Sequence, residues 1–144
     1  MLSKINSFGI LGIQAYPVEI EVDISSGLPA TNIVGLPDAS VKESKERIKS
    51  AIKNSGFQFP RDRITVNLAP ADTKKEGGSF DLAIALGILA SSGQISKDLL
   101  RSHVVLGELS LEGNLRPIKG ALPIAMKMKS DKINKLLLPS QNAK

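Results

Sequence analysis

The sequence predicts a mixed α/β sandwich, a sheet with helices packed on it, and three observations predict it. Val18 to Ile24 alternates apolar, β-branched residues with Glu19, Glu21 and Asp23, the pattern of a strand with one buried face and one wet face. Val41, Ile48, Ala51, Ile52 and Ser55 fall on one stripe at helical spacing, opposite a charged face. Phe80 to Ala90 is almost wholly apolar, as a helix buried on all sides must be.

The remaining elements follow in order. Ile5 to Ile13 reads as a partner strand for Val18–Ile24, with Gly9 and Gly12 marking a bulge or turn. Asn32 to Gly35 is a short third strand between Leu28-Pro29 and Leu36-Pro37. The first helix starts near Asp38 or Ser40, where Ser40-Val41-Lys42-Glu43 fits a capping box. Its wet face carries the i,i+4 pairs Glu43 with Arg47 and Lys42 with Glu46, and Gly56 is its stop. Arg63 to Leu68 is a strand closed by Ala69-Pro70, and a polar loop from Asp72 to Ser79 leads into the apolar helix, which Ser91-Ser92-Gly93 ends. Val104–Leu109 and Asn114–Pro117 read as a hairpin. A helix from about Lys119 to Lys129 and a strand from Lys135 to Leu138 complete the chain.

Composition narrows the function classes. The 144 residues suit one domain, able to bury roughly 70% of its unfolded surface without a staple. With no Cys, disulfides and thiolate metal sites are excluded, and nothing points to an oxidising compartment. No signal peptide and no apolar span is read, so the expected compartment is the cytoplasm, without a membrane partner. Charge is uneven. Gly113 to Lys144 holds seven basic residues and one acid, Asp131, a net +6, whereas the first 112 residues sum to −1. Such asymmetry marks either a nucleic-acid or partner surface or a solvated helix face. Aromatics are only 3% of the chain, so any nucleic-acid contact is expected through phosphates rather than base stacking.

Two kinds of site chemistry are missing. No Gly-x-x-x-x-Gly-Lys-Ser/Thr loop is present to cradle nucleotide phosphates. His103 is the sole histidine, which excludes a multi-His metal site and a His-activated triad and leaves it as a residue closing a loop. Gly77-Gly78-Ser79 is more informative. Two glycines permit close backbone approach, and a Ser at a helix N-terminus suits a nucleophile, a bound anion or simply an N-cap.

Five segments carry a family resemblance: Ser25–Pro29, Ile33–Asp38, Val41–Ser44, Ile64–Asp72 and Phe80–Leu89. In order and across the chain, they resemble the N-terminal domain of the ComM/YifB family of magnesium-chelatase-like AAA+ ATPases. The same domain is similar to the proteolytic domain of Lon, which implies a ribosomal-protein-type two-layer α/β fold over residues 1–144. It also implies an AAA+ module downstream, outside these residues. In Lon the nucleophile lies in a Pro-Lys-Asp-Gly-Pro-Ser loop, and the alignment with Lys74–Asp81 places Ser79 there. Lon's catalytic Lys aligns with Leu122, in Pro117–Leu122, and leucine accepts no proton. Lys119 lies about one turn earlier, an offset that removes it from hydrogen-bond reach.

The resemblance therefore implies a non-catalytic accessory domain of a hexameric AAA+ DNA motor, acting in branch migration during natural transformation and recombination. Its role is to organise the ring or to contact DNA, with its own AAA+ module and neighbouring subunits as partners. The expected DNA contacts, from charge arithmetic, are Lys119, Lys127, Lys129 and Lys132, with Lys74 and Lys75 as an alternative. No cofactor or metal is expected in the domain, and ATP and Mg²⁺ are expected for the downstream module. Two alternatives stand beside this: a degenerate Lon-type serine peptidase using Ser79, and a metal-chelatase-like chaperone.

Overall fold

The structure, a computed structural model, describes residues 1–11, 14–71, 75, 77–101, 103–116 and 136–137. Strand β1 (Leu2–Leu11) pairs antiparallel with β2 (Gln14–Ser25) in unbroken register from Leu2 opposite Asp23 to Leu11 opposite Gln14. The alternation in β2 sorts as charge requires: Val18, Ile20 and Val22 are buried, and Glu19 and Asp23 are exposed. Glu21 is half-buried because the amide of Asn67, on the neighbouring strand, donates to its carboxylate at 2.9 Å. Gly9 makes no bulge. It sits opposite Tyr16, and a Cβ there would come within 2.5 Å of the tyrosine ring, so the glycine serves close approach across the ladder.

Strands β3 (Ala30–Val34) and β4 (Arg63–Ala69) extend the sheet beyond β2, and β5 (Val104–Val105) and β8 (Leu136–Leu137) extend it beyond β1. The order is β3-β4-β2-β1-β5-β8, with β2 antiparallel to both its neighbours and the other pairings parallel. The expected hairpin divides in two. Val104–Val105 joins the main sheet beside β1, and only β6 (Glu108–Leu109) pairs with β7 (Leu115–Arg116). An apolar run that serves two sheets looks continuous in sequence, which is why the break after Val105 was not visible there.

Helix α1 (Ala39–Asn54) is capped by Asp38, whose carboxylate accepts the Val41 amide at 2.8 Å. The Ser40–Glu43 capping box is therefore not the cap used, since Ser40 already lies inside the helix. Its buried stripe is Val41, Ser44, Ile48, Ala51 and Ile52, while Ser55 is exposed at the C-cap. Gly56 follows with φ +88, the left-handed turn expected of a helix stop.

Helix α2 (Asp81–Ser91) is buried on nearly every side, with Leu82 and Leu86 partly open. It lies against β1 and β2 at Gly87, where an added Cβ would come within 2.6 Å of Ile5 and Val22. Ser3 Oγ donates to the Gly87 carbonyl at 2.8 Å, and Ser91 Oγ donates to the Val22 carbonyl at 2.9 Å. Each buried serine is thus satisfied at the seam, as burial of hydroxyls demands. Helix α1 packs against α2, and a one-turn helix, α3 (Asp98–Arg101), lies against β1. The architecture is the expected mixed α/β arrangement of helices on a sheet. Among the described residues, no helix is long and apolar enough to cross a membrane.

Candidate functional site

The Gly77-Gly78-Ser79 turn stands where α2 meets β6. Gly77 has φ +84, which favours glycine, and a Cβ on Gly78 would come within 2.9 Å of the Glu108 carboxylate, whose side chain would have to shift. The turn is clamped to residue 107 in both directions: Gly107 N–H donates to the Ser79 carbonyl at 2.9 Å, and Leu82 N–H donates to the Gly107 carbonyl at 3.0 Å. Ser79 is half-buried and is not the N-cap of α2. Phe80 holds that position with helical backbone and no side-chain cap. The Ser79 hydroxyl makes no hydrogen bond among the described residues.

Asp81, two residues on, organises the region. It is fully buried, and its carboxylate accepts from Ser44 Oγ at 2.5 Å, Arg47 Nε at 2.8 Å, Arg47 Nη2 at 3.2 Å and Leu109 N–H at 3.1 Å. One acid therefore ties α1, α2 and β6 together, at the helix N-terminus where the dipole favours an anion. Its hydrogen bond to Asp81 raises the Arg47 guanidinium above its ordinary value against an opposing cost of desolvation, with further help from the charges of Asp81, Glu108 and Glu43. Glu43, the partner expected from helical spacing, lies 4.0 Å from Arg47 and is exposed. The dominant pair is the one with Asp81.

Sequence reasoning missed this pairing, although a signal existed. A lone acid in an otherwise apolar helix has to find a cation and donors, because an unpaired buried carboxylate is too costly.

Lys75 is buried rather than displayed. Its backbone exchanges hydrogen bonds with Leu36 and Asp38, each at 2.8 Å, and its ammonium donates to the Pro70 carbonyl. In this position it stitches the loop to the start of α1 and is withdrawn from any phosphate in solvent. Lys74, Lys119, Leu122, Lys127, Lys129 and Lys132 lie outside the described residues, as does the expected helix from Lys119 to Lys129. His103 directly precedes β5 and lines a cleft with Phe8 and Pro70. Among the described residues, no group of three or more His, Cys, Asp or Glu side chains is placed to hold a metal ion.

Fold and turn together define a class: a mixed α/β module built round a glycine-serine turn and a buried Asp–Arg pair. The chain belongs to the magnesium-chelatase-like family, since the family model described as subunit ChlI of Mg-chelatase matches residues 20–142. It is 48% identical over 124 residues to the uncharacterized protein YifB of Salmonella typhimurium, covering 86% of this chain and 24% of that protein. It is 45% identical over 142 residues to competence protein ComM of Haemophilus influenzae, covering 99% of this chain and 28% of that protein. A weaker likeness, 24% over 139 residues, joins it to Lon protease 2 of Bacillus subtilis, with 87% of this chain and 25% of that protein covered. The chain thus spans about a quarter of the length of the curated relatives it matches.

Proposed function

We propose that this chain is the non-catalytic accessory domain of a ComM-type AAA+ motor that works on DNA as a hexamer, and that it supplies a DNA contact. The observation that carries the reading is the match at 45% identity along 99% of the chain to a protein named for competence. The turn supports the non-catalytic part. A serine nucleophile needs a base within hydrogen-bond reach, and the nearest acid in sequence, Asp81, is already committed to Ser44, Arg47 and Leu109. ATP and Mg²⁺ belong to the remainder of such a motor. This chain carries no Gly-x-x-x-x-Gly-Lys-Ser/Thr phosphate-cradling loop.

A second role, ring organisation, is favoured by the open edge of the sheet. Strand β3 has no partner beyond it among the described residues, and Leu28, Val34 and Leu36 are exposed on or beside it. The test of the DNA contact is fluorescence anisotropy of the purified chain with labelled DNA over a salt series. Binding with Kd on the order of 10⁻⁴ to 10⁻⁶ M at physiological salt, weakening steeply as salt rises, supports it. No binding at low salt removes the DNA contact and leaves ring organisation.

A further inference from the structure

A cavity that Ser79 does not line opens beside α1. It is a groove of 880 Å³ between α1, the start of β3 and the loop 57–62. Lys45, Lys49 and Lys53 enter it from α1. Spaced four residues apart, they form one row, with successive side chains roughly 6 Å apart along the axis. Arg61 faces them from the loop, and Glu46 and Asp62 are the acids in the groove, so the lining is net positive by two. Among the described residues, none of these four cations forms an ion pair; the pairs made by Glu43 and Asp81 are both with Arg47.

The groove also gathers two of the chain's four phenylalanines. Phe57 is 41% exposed, an apolar ring held open to water. Phe59 lies beneath Lys49, whose ammonium is 5.9 Å from the ring centre, within cation–π range. The wall bearing both rings is fixed. The Gln94 side chain accepts from Gln58 N–H at 2.9 Å and donates to the Gln58 carbonyl at 2.7 Å, clasping the backbone between them.

A row of unpaired cations beside an open aromatic ring is the combination that tracks a phosphate backbone while a base stacks. Duplex DNA offers no free base face to Phe57. We propose that this groove binds single-stranded nucleic acid, with phosphates along Lys45, Lys49 and Lys53 and a base on Phe57. The inference rests on the DNA-contact reading above and gives that contact a location within the described residues. It also departs from the expectation of contact through phosphates rather than base stacking: aromatics are few, but the groove gathers two of them.

The experiment measures anisotropy of the chain with labelled oligothymidylate, oligouridylate and a DNA duplex of equal length, over a salt series. The variants are K45E/K49E/K53E, F57A and K127E/K129E/K132E, each confirmed folded by circular dichroism. The groove predicts that the first triple weakens single-strand binding at least about tenfold and lowers the logarithmic salt slope by about two, three contacts at roughly 0.7 each. Phe57→Ala, at a half-open site that does not threaten folding, should weaken single strands about tenfold and leave duplex binding unchanged. The two oligonucleotides show whether the groove takes DNA and RNA single strands alike, and binding of either that is lost in K45E/K49E/K53E supports the groove. Wild-type affinity in K45E/K49E/K53E with loss in K127E/K129E/K132E overturns the groove while the DNA contact stands. A silent Phe57→Ala, together with equal loss on duplex and single strand in K45E/K49E/K53E, overturns the single-strand assignment. Failure of the wild type to bind any probe overturns both.

Discussion

Arg47 Nε lies 2.8 Å from Asp81 Oδ2, and this pair joins the middle of α1 to the first residue of α2, directly after the Gly77-Gly78-Ser79 turn. Asp81 is fully buried, whereas the Arg47 side chain keeps 21% exposure. The relationship is therefore lopsided: the carboxylate depends on the guanidinium more than the reverse. Arg47→Met should cost about 3 kcal/mol in urea unfolding, the low end for stranding a buried charge, since some water reaches the site. Arg47→Lys should recover only part, because an ammonium cannot donate from Nε and Nη2 together. A loss below about 1 kcal/mol for Arg47→Met would show that Asp81 is held by Ser44 and Leu109 alone.

The pH dependence of that pair has a definite sign. The folded-state value of Arg47 is raised, so its contribution is fully present below the ordinary guanidinium value. It disappears only as pH climbs through the raised value, deep in the alkaline range. Comparing wild type with Arg47→Met, the stability difference should hold from neutral to moderately alkaline pH and then shrink at strongly alkaline pH. A difference already lost at moderately alkaline pH would assign the coupling to another group.

Two glycines in left-handed conformations should respond differently to alanine. Gly35 has φ +102, and a Cβ there runs into the Leu68 carbonyl oxygen on β4, so Gly35→Ala should cost well over about 2 kcal/mol. Gly56 has φ +88 with nothing within 4 Å of an added Cβ, so Gly56→Ala pays the conformation alone, about 1 kcal/mol. Thermal unfolding of both variants checks the order. Equal losses would contradict the close approach of β3 to β4.

Caps give a third comparison. Asp38→Ala removes the acceptor for Val41 N–H and should cost about 1 kcal/mol. Ser79→Ala removes no cap and should change stability by less than about 0.5 kcal/mol. If the two losses are alike, Ser79 caps α2 after all.

Catalytic silence is checked by mass. Incubation with a serine-directed fluorophosphonate should leave the intact mass of the chain unchanged, because Leu122 stands where the Lon-type lysine base aligns and leucine accepts no proton. A stoichiometric adduct that vanishes in Ser79→Ala would revive the peptidase reading.

The parts of the fold that strict periodicity governs were legible in the sequence. Val18, Ile20 and Val22 alternate with acids, so face and register of β2 follow from charge alone. The nearly all-apolar run after Phe80 placed α2 inside in the same way. Local ambiguity defeated the caps, since Asp38 and Ser40 are equally good acceptors and only the incoming chain direction chooses between them. Long-range pairing defeated the rest. Arg47 has an acid one turn away in its own helix, and nothing local shows that Asp81, 34 residues on, takes it instead. Lys75 looked like a loop cation until the fold placed Pro70 over its ammonium. The groove of Lys49, Phe57 and Arg61 exists only once α1 and the loop 57–62 are brought side by side.

The proposed role of this domain is to serve a DNA motor without doing chemistry itself. The most direct measurement compares ATP hydrolysis by the full-length parent with that of a variant lacking residues 1–144, with and without DNA. The account predicts that basal hydrolysis survives the deletion and that its response to DNA is lost or weakened about tenfold, as expected when a set of phosphate and stacking contacts is removed. An unchanged response to DNA in the truncated protein would contradict it.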